Sequence, residues 1–416
     1  MRLVEQHIIG KNNIFWKECD RLCFASKNLY NQALYRVIKQ YEKDKTYKSY
    51  NKLDKELSLE NQVDYRALPA KVSQQTLRIL NNNFTSYFRA LAKYKKSKEG
   101  FTGEPSLPRY KHKIKGRSVV TFTIQAISAK GLKKGYMKLS GTEISIRTDK
   151  KVQQARIIPM QNGSYKIEII YLKKEPLLIK NKRYAGIDIG LNNLATVVTN
   201  CEERPFIMNG KPLKSINQYY NKKLAKLKSE LPLLSKEKVS KTGNRIQRSS
   251  SKKIAKLTHK RNCKIRDYMH KSSRKLVNKL KQANISKVVI GKNKQWKNEI
   301  NIGSKNNQKF VSIPQAIYIN MVEYKLRLEG IKSILREESY TSKCSFLDDE
   351  SIEKHDNYVG KRVSRGMFKT ATGKRWNADC NGAANILKKE IPNAFSNGIE
   401  VIVVSPVRVK SYQNAA

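Results

Sequence analysis

Four carboxylates carry the most chemical information in this sequence: Asp188, the adjacent pair Glu337 and Glu338, and Asp379. Asp188 lies in the stretch from Tyr184 to Val198, two short apolar runs around a Gly-Leu-Asn-Asn turn, which reads as a hairpin. An acid inside a strand that otherwise reads as buried is costly unless something binds it, and a cation is the obvious partner. The plainer alternative is an Asp that caps the turn at a strand end. Glu337 and Glu338 close the strand pattern Ile331 to Arg336, and Asp379 falls in the first turn of a helix opened by Asn377. Clustered carboxylates repel one another unless cations bridge them. Two Mg²⁺ ions about 4 Å apart would satisfy them and clamp a phosphodiester for in-line hydrolysis by water. One ion would activate the water and the other would stabilise the leaving oxygen. Each acid taken alone would equally suit a cap or a surface position.

The elements around these acids have a telling order. From Asp188 onward come a hairpin, a strand, helices, a strand (Val288 to Gly291), a helix, a strand and a helix. Three antiparallel strands followed by two strand–helix units is the order of an RNase H-like domain, a mixed sheet with helices on both faces. Acids at the ends of neighbouring central strands, with one more on the packed last helix, can converge on a point. The long segment 211–281 reads as two basic helices, with Glu230, Glu237 and Asp267 as its acids and a polar tip at 235–251. Ile399 to Val404 reads as a last short strand before a basic tail.

Upstream, Arg2 to Ile9 reads as a strand, and two helical blocks follow at about Asn12–Lys43 and Pro69–Lys95, with a polar stretch between them. After a Gly/Pro boundary at 100–110 the period becomes two. Short strands with turns about every ten residues suggest a small barrel or sandwich. The first strand would belong to it, which makes the helical block an insertion.

Lys and Arg number 85 against 34 Asp and Glu in 416 residues, a formal net charge of +51. Such a chain repels itself, and a polyanionic partner, nucleic acid, is the plain reading. A membrane surface is the weaker reading, since no apolar run approaches about 18 residues and the start goes straight into a strand pattern. Six cysteines without paired spacing suggest reduced thiols and a cytoplasmic protein. Cys19 and Cys23, four apart on a helical stretch, suit packing. The basic residues singled out for phosphate contact are Lys71, Arg78, Arg89, Arg109, Lys111, Lys222, Lys223, Lys252, Lys253, Arg261, Lys361, Arg362 and Arg365. The last three lie in the Lys-, Arg- and Gly-rich segment 357–374, read as an active-site loop.

Gly186 to Thr196 resembles the first RuvC motif of TnpB, the transposon-encoded RNA-guided nuclease related to the type V CRISPR effectors. Asn377 to Ile386 resembles its third. Ser26-Lys27-Asn28-Leu29-Tyr30-Asn31, Leu107-Pro108-Arg109-Tyr110-Lys111 and Tyr340-Thr341-Ser342-Lys343-Cys344 match further family signatures. The fold class this resemblance implies is α/β plus β: an RNase H-like (RuvC) nuclease domain with an N-terminal β-barrel (wedge) carrying a helical recognition insert. The wedge would be 1–11 and 101–175, the insert 12–100 and the nuclease domain 182–400. Within the nuclease domain, 211–281 would be a basic insertion and 339–376 a degenerate zinc-finger-like loop; 401–416 would be a basic tail. Also implied are a guide RNA from the transposon's end, a short motif read beside a double-stranded DNA target, Mg²⁺-dependent cleavage, and a prokaryotic, nucleoid-associated setting. Either a monomer or a dimer is compatible with the sequence.

Two departures from the family matter. Its second RuvC motif usually ends the Val-Val-Ile strand with Glu; here the position is Gly291, which offers no ligand. The strand ending in Glu337 and Glu338 should lie beside it, so we expect a relocated glutamate: Glu337 first, Glu338 second, and Glu299 third. If nothing replaces it, the protein would be a nuclease-inactive guided repressor. A transposase or resolvase would need the same carboxylates. The family also commonly carries two CxxC knuckles between these motifs. Here Cys344 remains, with His355 as a candidate helper, and a structural zinc needs four ligands, so zinc is not expected.

Overall fold

The computed structural model describes residues 1–231, 251–293, 303, 313–396, 398 and 405–410. Glu299, most of the polar tip at 235–251 and the strand expected at 399–404 lie outside the described residues. The chain divides into two compact units, Met1–Lys174 and Glu175–Ala416.

In the first unit, strand β1 (Arg2–Ile9) leads into helices α1 (Trp16–Asp44), α2 (Tyr50–Leu59), α3 (Val63–Arg66) and α4 (Ala70–Lys96). The two long helices fall where the apolar spacing predicts them. The polar stretch between them folds as α2 and α3. Its Leu53, Leu57 and Tyr65 are buried, and the Ser49 and Gln62 side chains cap the two starts. Next come β2 (Val120–Thr123), a short helix α5 (Ala129–Lys133), β3 (Tyr136–Lys138), β4 (Ser145–Arg147), β5 (Val152–Pro159) and β6 (Tyr165–Leu172). They pair as an open antiparallel sheet in the order β1-β6-β5-β2, with β3 and β4 as a separate ribbon. Among the described residues no ladder closes this sheet into the expected barrel. Helix α1 meets the chain entering β2 instead: Cys23 O accepts Ser118 N at 2.9 Å, and Ser26 Oγ donates to Val119 O at 3.1 Å. One apolar core runs from α1 and α4 through β2, β5 and β6.

The second unit is built on a six-stranded sheet. Its strands are β7 (Tyr184–Asp188), β8 (Asn193–Thr199), β9 (Phe206–Asn209), β10 (Lys287–Gly291), β11 (Lys332–Arg336) and, late in the chain, β15 (Val407–Val409). Their spatial order is β11-β10-β7-β8-β9-β15. Strands β7, β8 and β9 run antiparallel as a meander, while β10 and β11 join parallel to β7. Strand β15 adds parallel to β9. Helices α6 (Lys211–Ser229) and α7 (Lys252–Gln282) follow the meander, and α8 (Gln315–Leu328) links β10 to β11. The expected loop 339–376 contains a small sheet of β12 (Lys361–Ser364), β13 (Met367–Lys369) and β14 (Arg375–Asn377). Its Phe368 and Trp376 are buried. Helix α9 (Ala378–Glu390) then packs on the sheet beside β7.

That last packing is close to backbone on backbone. A methyl group added at Gly186 in β7 would stand 2.1 Å from Ala383 O and 2.9 Å from Leu387 Cβ, both on α9. Gly186→Ala should therefore push the helix off the sheet and destabilise the protein by about 1–3 kcal/mol, the usual cost of overpacking. Denaturant unfolding measures this, and an unchanged midpoint would refute the close approach.

Candidate active site

Asp188 is the last residue of β7, at the centre of the sheet. Asp379 enters from the helix side. Asn377 caps α9 by accepting hydrogen bonds from Asp379 N and Cys380 N, both at 3.0 Å. Gly382, one turn further on, leaves room for the strand: a Cβ there would lie 3.1 Å from Asp188 Oδ2. Asp188 and Asp379 line one pocket, and Arg362, Arg365 and Arg408 line it with them.

The adjacent glutamates separate as residues of an extended segment do, to opposite sides. Glu337, first choice from the sequence, faces outward. Its Oε1 accepts from Ser339 N at 2.9 Å and its Oε2 from Lys389 Nζ at 3.0 Å. Ser339 and Lys389 hold its carboxyl below the ordinary range. Glu338 turns inward. It reaches over the end of β10, where Gly291 pairs with Arg336 of β11. A Cβ on Gly291 would stand 2.5 Å from Glu338 Oε2. The missing side chain at Gly291 thus makes the room that Glu338 occupies. Asn293 grips Glu338 twice: its Nδ2 donates to Glu338 Oε1 and its Oδ1 accepts Glu338 N, each at 3.1 Å. Glu338 Oε2 is buried and has no hydrogen-bond partner among the described residues.

The electrostatics link these acids. Asp188 keeps some exposure toward the pocket, but the packing around its carboxyl is dense. Burial, then Asp379, then Glu338 push it up to about 8. Burial and then Glu337 push Glu338 up to about 7. No three His, Cys, Asp or Glu side chains among the described residues stand close enough to cage an ion unaided. Asp379 is engaged elsewhere: its Oδ2 accepts from Asn193 Nδ2 at 2.5 Å and its Oδ1 from Arg362 at 3.3 Å. The donor set is nonetheless all carboxylate oxygen, mutually repelling, with one buried oxygen unpaired. That chemistry suits a hard divalent cation whose remaining positions are filled by water and phosphate.

Of the basic residues singled out from the sequence, Arg362 and Arg365 reach this pocket. Lys71, Arg78, Arg89, Arg109, Lys222, Lys223, Lys252, Lys253 and Lys361 are exposed elsewhere. Two serve the fold. Lys111 is half-buried, its ammonium 5.0 Å from the Tyr30 ring centre, and Arg261 donates to Asn217 at 2.7 Å between α6 and α7. The signature stretches 26–31 and 107–111 meet each other. Asn31 holds Lys111 by Nδ2 to the carbonyl at 2.8 Å and by Oδ1 from the N–H at 2.9 Å, and Lys27 Nζ donates to Lys113 O at 2.6 Å. The sequence reading missed Asn193, Asn293, Lys211, Lys214 and Arg408. Asn193 was visible only as a turn residue.

Cys344 and His355 turn to different backbone oxygens, those of Glu353 at 3.6 Å and Ser351 at 2.8 Å. Carboxylate and amide side chains fasten the segment instead. Buried Glu350 accepts Ser345 N at 2.6 Å and Val359 N at 2.9 Å. Asn381 and Asn385, one turn apart on α9, donate to Cys344 O, both at 2.8 Å. The loop bearing Arg362 is thereby tied to the helix bearing Asp379.

Residues 169–297 match the family OrfB_IS605, described as a probable transposase. Residues 317–386 match the Cas12f1-like TNB domain. Among solved structures, a Cas12f1–sgRNA–target DNA complex aligns with TM-score 0.53 at 15% identity, over 89% of this chain and 82% of that one. The chain is thus similar in two segments to these families and in fold to this complex. The mini RNA-guided endonuclease CRISPR-Cas_phi3 aligns over 98% of this chain and 94% of its own, with TM-score 0.45 and 10% identity. At these identities the likeness is one of fold. No curated protein matches the sequence. No helix among the described residues is long and apolar enough to cross a membrane.

Two outcomes are expected. The Asp188 carboxyl keeps its proton to about pH 8 when folded, against an ordinary 3.8. Its stabilising contribution is therefore complete below the unfolded value and lost as pH rises through the folded one. Without divalent cations, melting temperature should fall between about pH 4 and 8, and Asp188→Asn should flatten that fall; an identical profile in the variant would refute it. Separately, Glu350→Ala leaves the buried Ser345 N–H and the Val359 N–H without their partner and should cost about 1–3 kcal/mol. It should also open the segment 341–374 to proteolysis, an effect that zinc chelators do not reproduce in the unaltered protein.

Proposed function

We propose that this protein is an RNA-guided DNA endonuclease of an insertion-sequence element, cutting double-stranded DNA selected by a guide RNA from the transposon end. The observation that carries this reading is the pair Asp188 and Asp379 in one basic-walled pocket, with Glu338 near enough to raise the proton affinity of Asp188. The sheet order, with β7 central and β10 and β11 added parallel, supports an RNase H-like (RuvC) nuclease domain at 182–400. The related Cas12f1 assembly contains a guide RNA and target DNA, and the net charge of +51 suits such partners. The remaining organisation follows the family: a wedge at 1–11 and 101–175 and a recognition insert at 12–100. The protein acts in the cytoplasm, where the chromosome lies.

Asp188, Glu338 and Asp379 would hold the divalent cations, two Mg²⁺ in the expected case. Bound there, such ions neutralise phosphate charge and lower the pKa of a coordinated water. Arg362 and Arg365 hold the scissile phosphate against the acids. Asn293 fixes Glu338, and the guide supplies sequence selection by base pairing while the protein grips backbone.

Plasmid cleavage with the guide and Mg²⁺ tests this reading. Asp188→Ala, Glu338→Ala and Asp379→Ala should each lower cutting by roughly 100-fold or more, with guided DNA binding retained. Glu337→Ala should stay within a few-fold of the unaltered protein. Binding without any cutting by the unaltered protein would instead favour the guided repressor, and strand joining without RNA would favour a transposase or resolvase.

A further inference from the structure

Asn193 is the second Asn of the turn after Asp188, and its side-chain amide meets a charged group at each end. Its Nδ2 donates to Asp379 Oδ2 at 2.5 Å. Its Oδ1 accepts from Arg408 Nη1 at 3.2 Å. A guanidinium can only donate and a carboxylate can only accept. Flipping the amide would set N–H against guanidinium and oxygen against carboxylate, so Arg408 dictates which end of Asn193 faces Asp379.

Arg408 comes from far along the chain. It lies on β15, the edge strand beside β9, where it pairs with Ile207. Asn193 pairs with Asn209 at the other end of β9. Strand β15 is held there by Val407 N to Pro205 O at 2.8 Å, by Arg204 Nε to Ser405 O at 2.8 Å, and by Lys275 Nζ to Lys410 O at 2.8 Å. Arg408 itself is exposed and lines the same pocket as Asp188 and Asp379. Arg362 holds the other oxygen of Asp379, so the carboxylate is fixed from two sides.

We propose that Arg408 is a positioning residue which, through Asn193, sets the carboxylate of Asp379 for cation binding, making the C-terminal strand part of the active site. This rests on the metal-dependent reading above. Arg408→Met and Asn193→Ala should each weaken Mn²⁺ binding to the full chain, measured by calorimetry, by about tenfold, as is usual for groups that orient a metal ligand. Each should raise the Mg²⁺ concentration for half-maximal cleavage by a similar factor, with melting temperature unchanged. Arg408→Lys, which keeps a donor, should recover part of the loss. The double variant should be no worse than Asn193→Ala alone, because Arg408 acts through Asn193. Additive losses, or a defect confined to DNA affinity at unchanged cation dependence, would overturn the proposal and make Arg408 a phosphate contact. A crystal structure of the Arg408→Met protein gives a readout independent of cation and activity. An Asn193 amide that leaves or reverses against Asp379 supports the relay, and an unchanged contact sinks it. If the unaltered protein binds no Mn²⁺ and does not cut, the nuclease reading fails, and this structural comparison still decides the relay.

Discussion

The Asp188 carboxyl is densely packed, with Asp379 and Glu338 near enough to raise its proton affinity, and the second unit is arranged to make that tolerable. The cost appears in the raised proton affinity of Asp188, where burial leads and Asp379 and Glu338 add to it. It is sustained by packing that leaves these groups little room to retreat. Helix α9 lies on β7 at glycine distance, Asn377 fixes the first turn of that helix, and Asn293 holds Glu338 by both backbone and side chain. A pocket so strained is most stable when protonated or when a cation shares its charge.

The same constraint explains the substitution at Gly291. Strands β10 and β11 run parallel and in register, so a carboxylate just past β11 can lean across the end of β10. It can do so only if β10 presents no side chain there, because any Cβ at 291 would collide with Glu338 Oε2. Gly291, Asn293 and Glu338 therefore act as a unit: one clears the space, one fills it and one locks the filler.

The loop between β11 and β14 follows a similar logic. A carboxylate and two amides join backbone groups that would otherwise be unpaired. Hydrogen bonds of this kind are individually modest but costly to leave unmade in a buried site. They connect Arg362, Asp379 and the helix dock into one rigid patch. The basic residues on that patch then face the acids across the pocket, an arrangement suited to a phosphate lying between positive and negative walls.

Apolar spacing located both long helices of the first unit to within a few residues, because a buried stripe must recur every three to four positions. Alternation located most strands for the equivalent reason. Asp188 and Asp379 could be singled out because an acid inside an apolar strand is costly unless bound, and element order brings the two toward one point. The sequence also determined the charge, which suits a polyanionic partner. Only the tertiary structure showed which way Glu337 and Glu338 turn, since neighbours beyond a strand end differ only in the side they face. Only it revealed that the N-terminal strands form an open sheet covered by helices. Only it could join Arg408, Asn193 and Asp379, whose side chains meet through sheet order and helix packing rather than spacing along the chain.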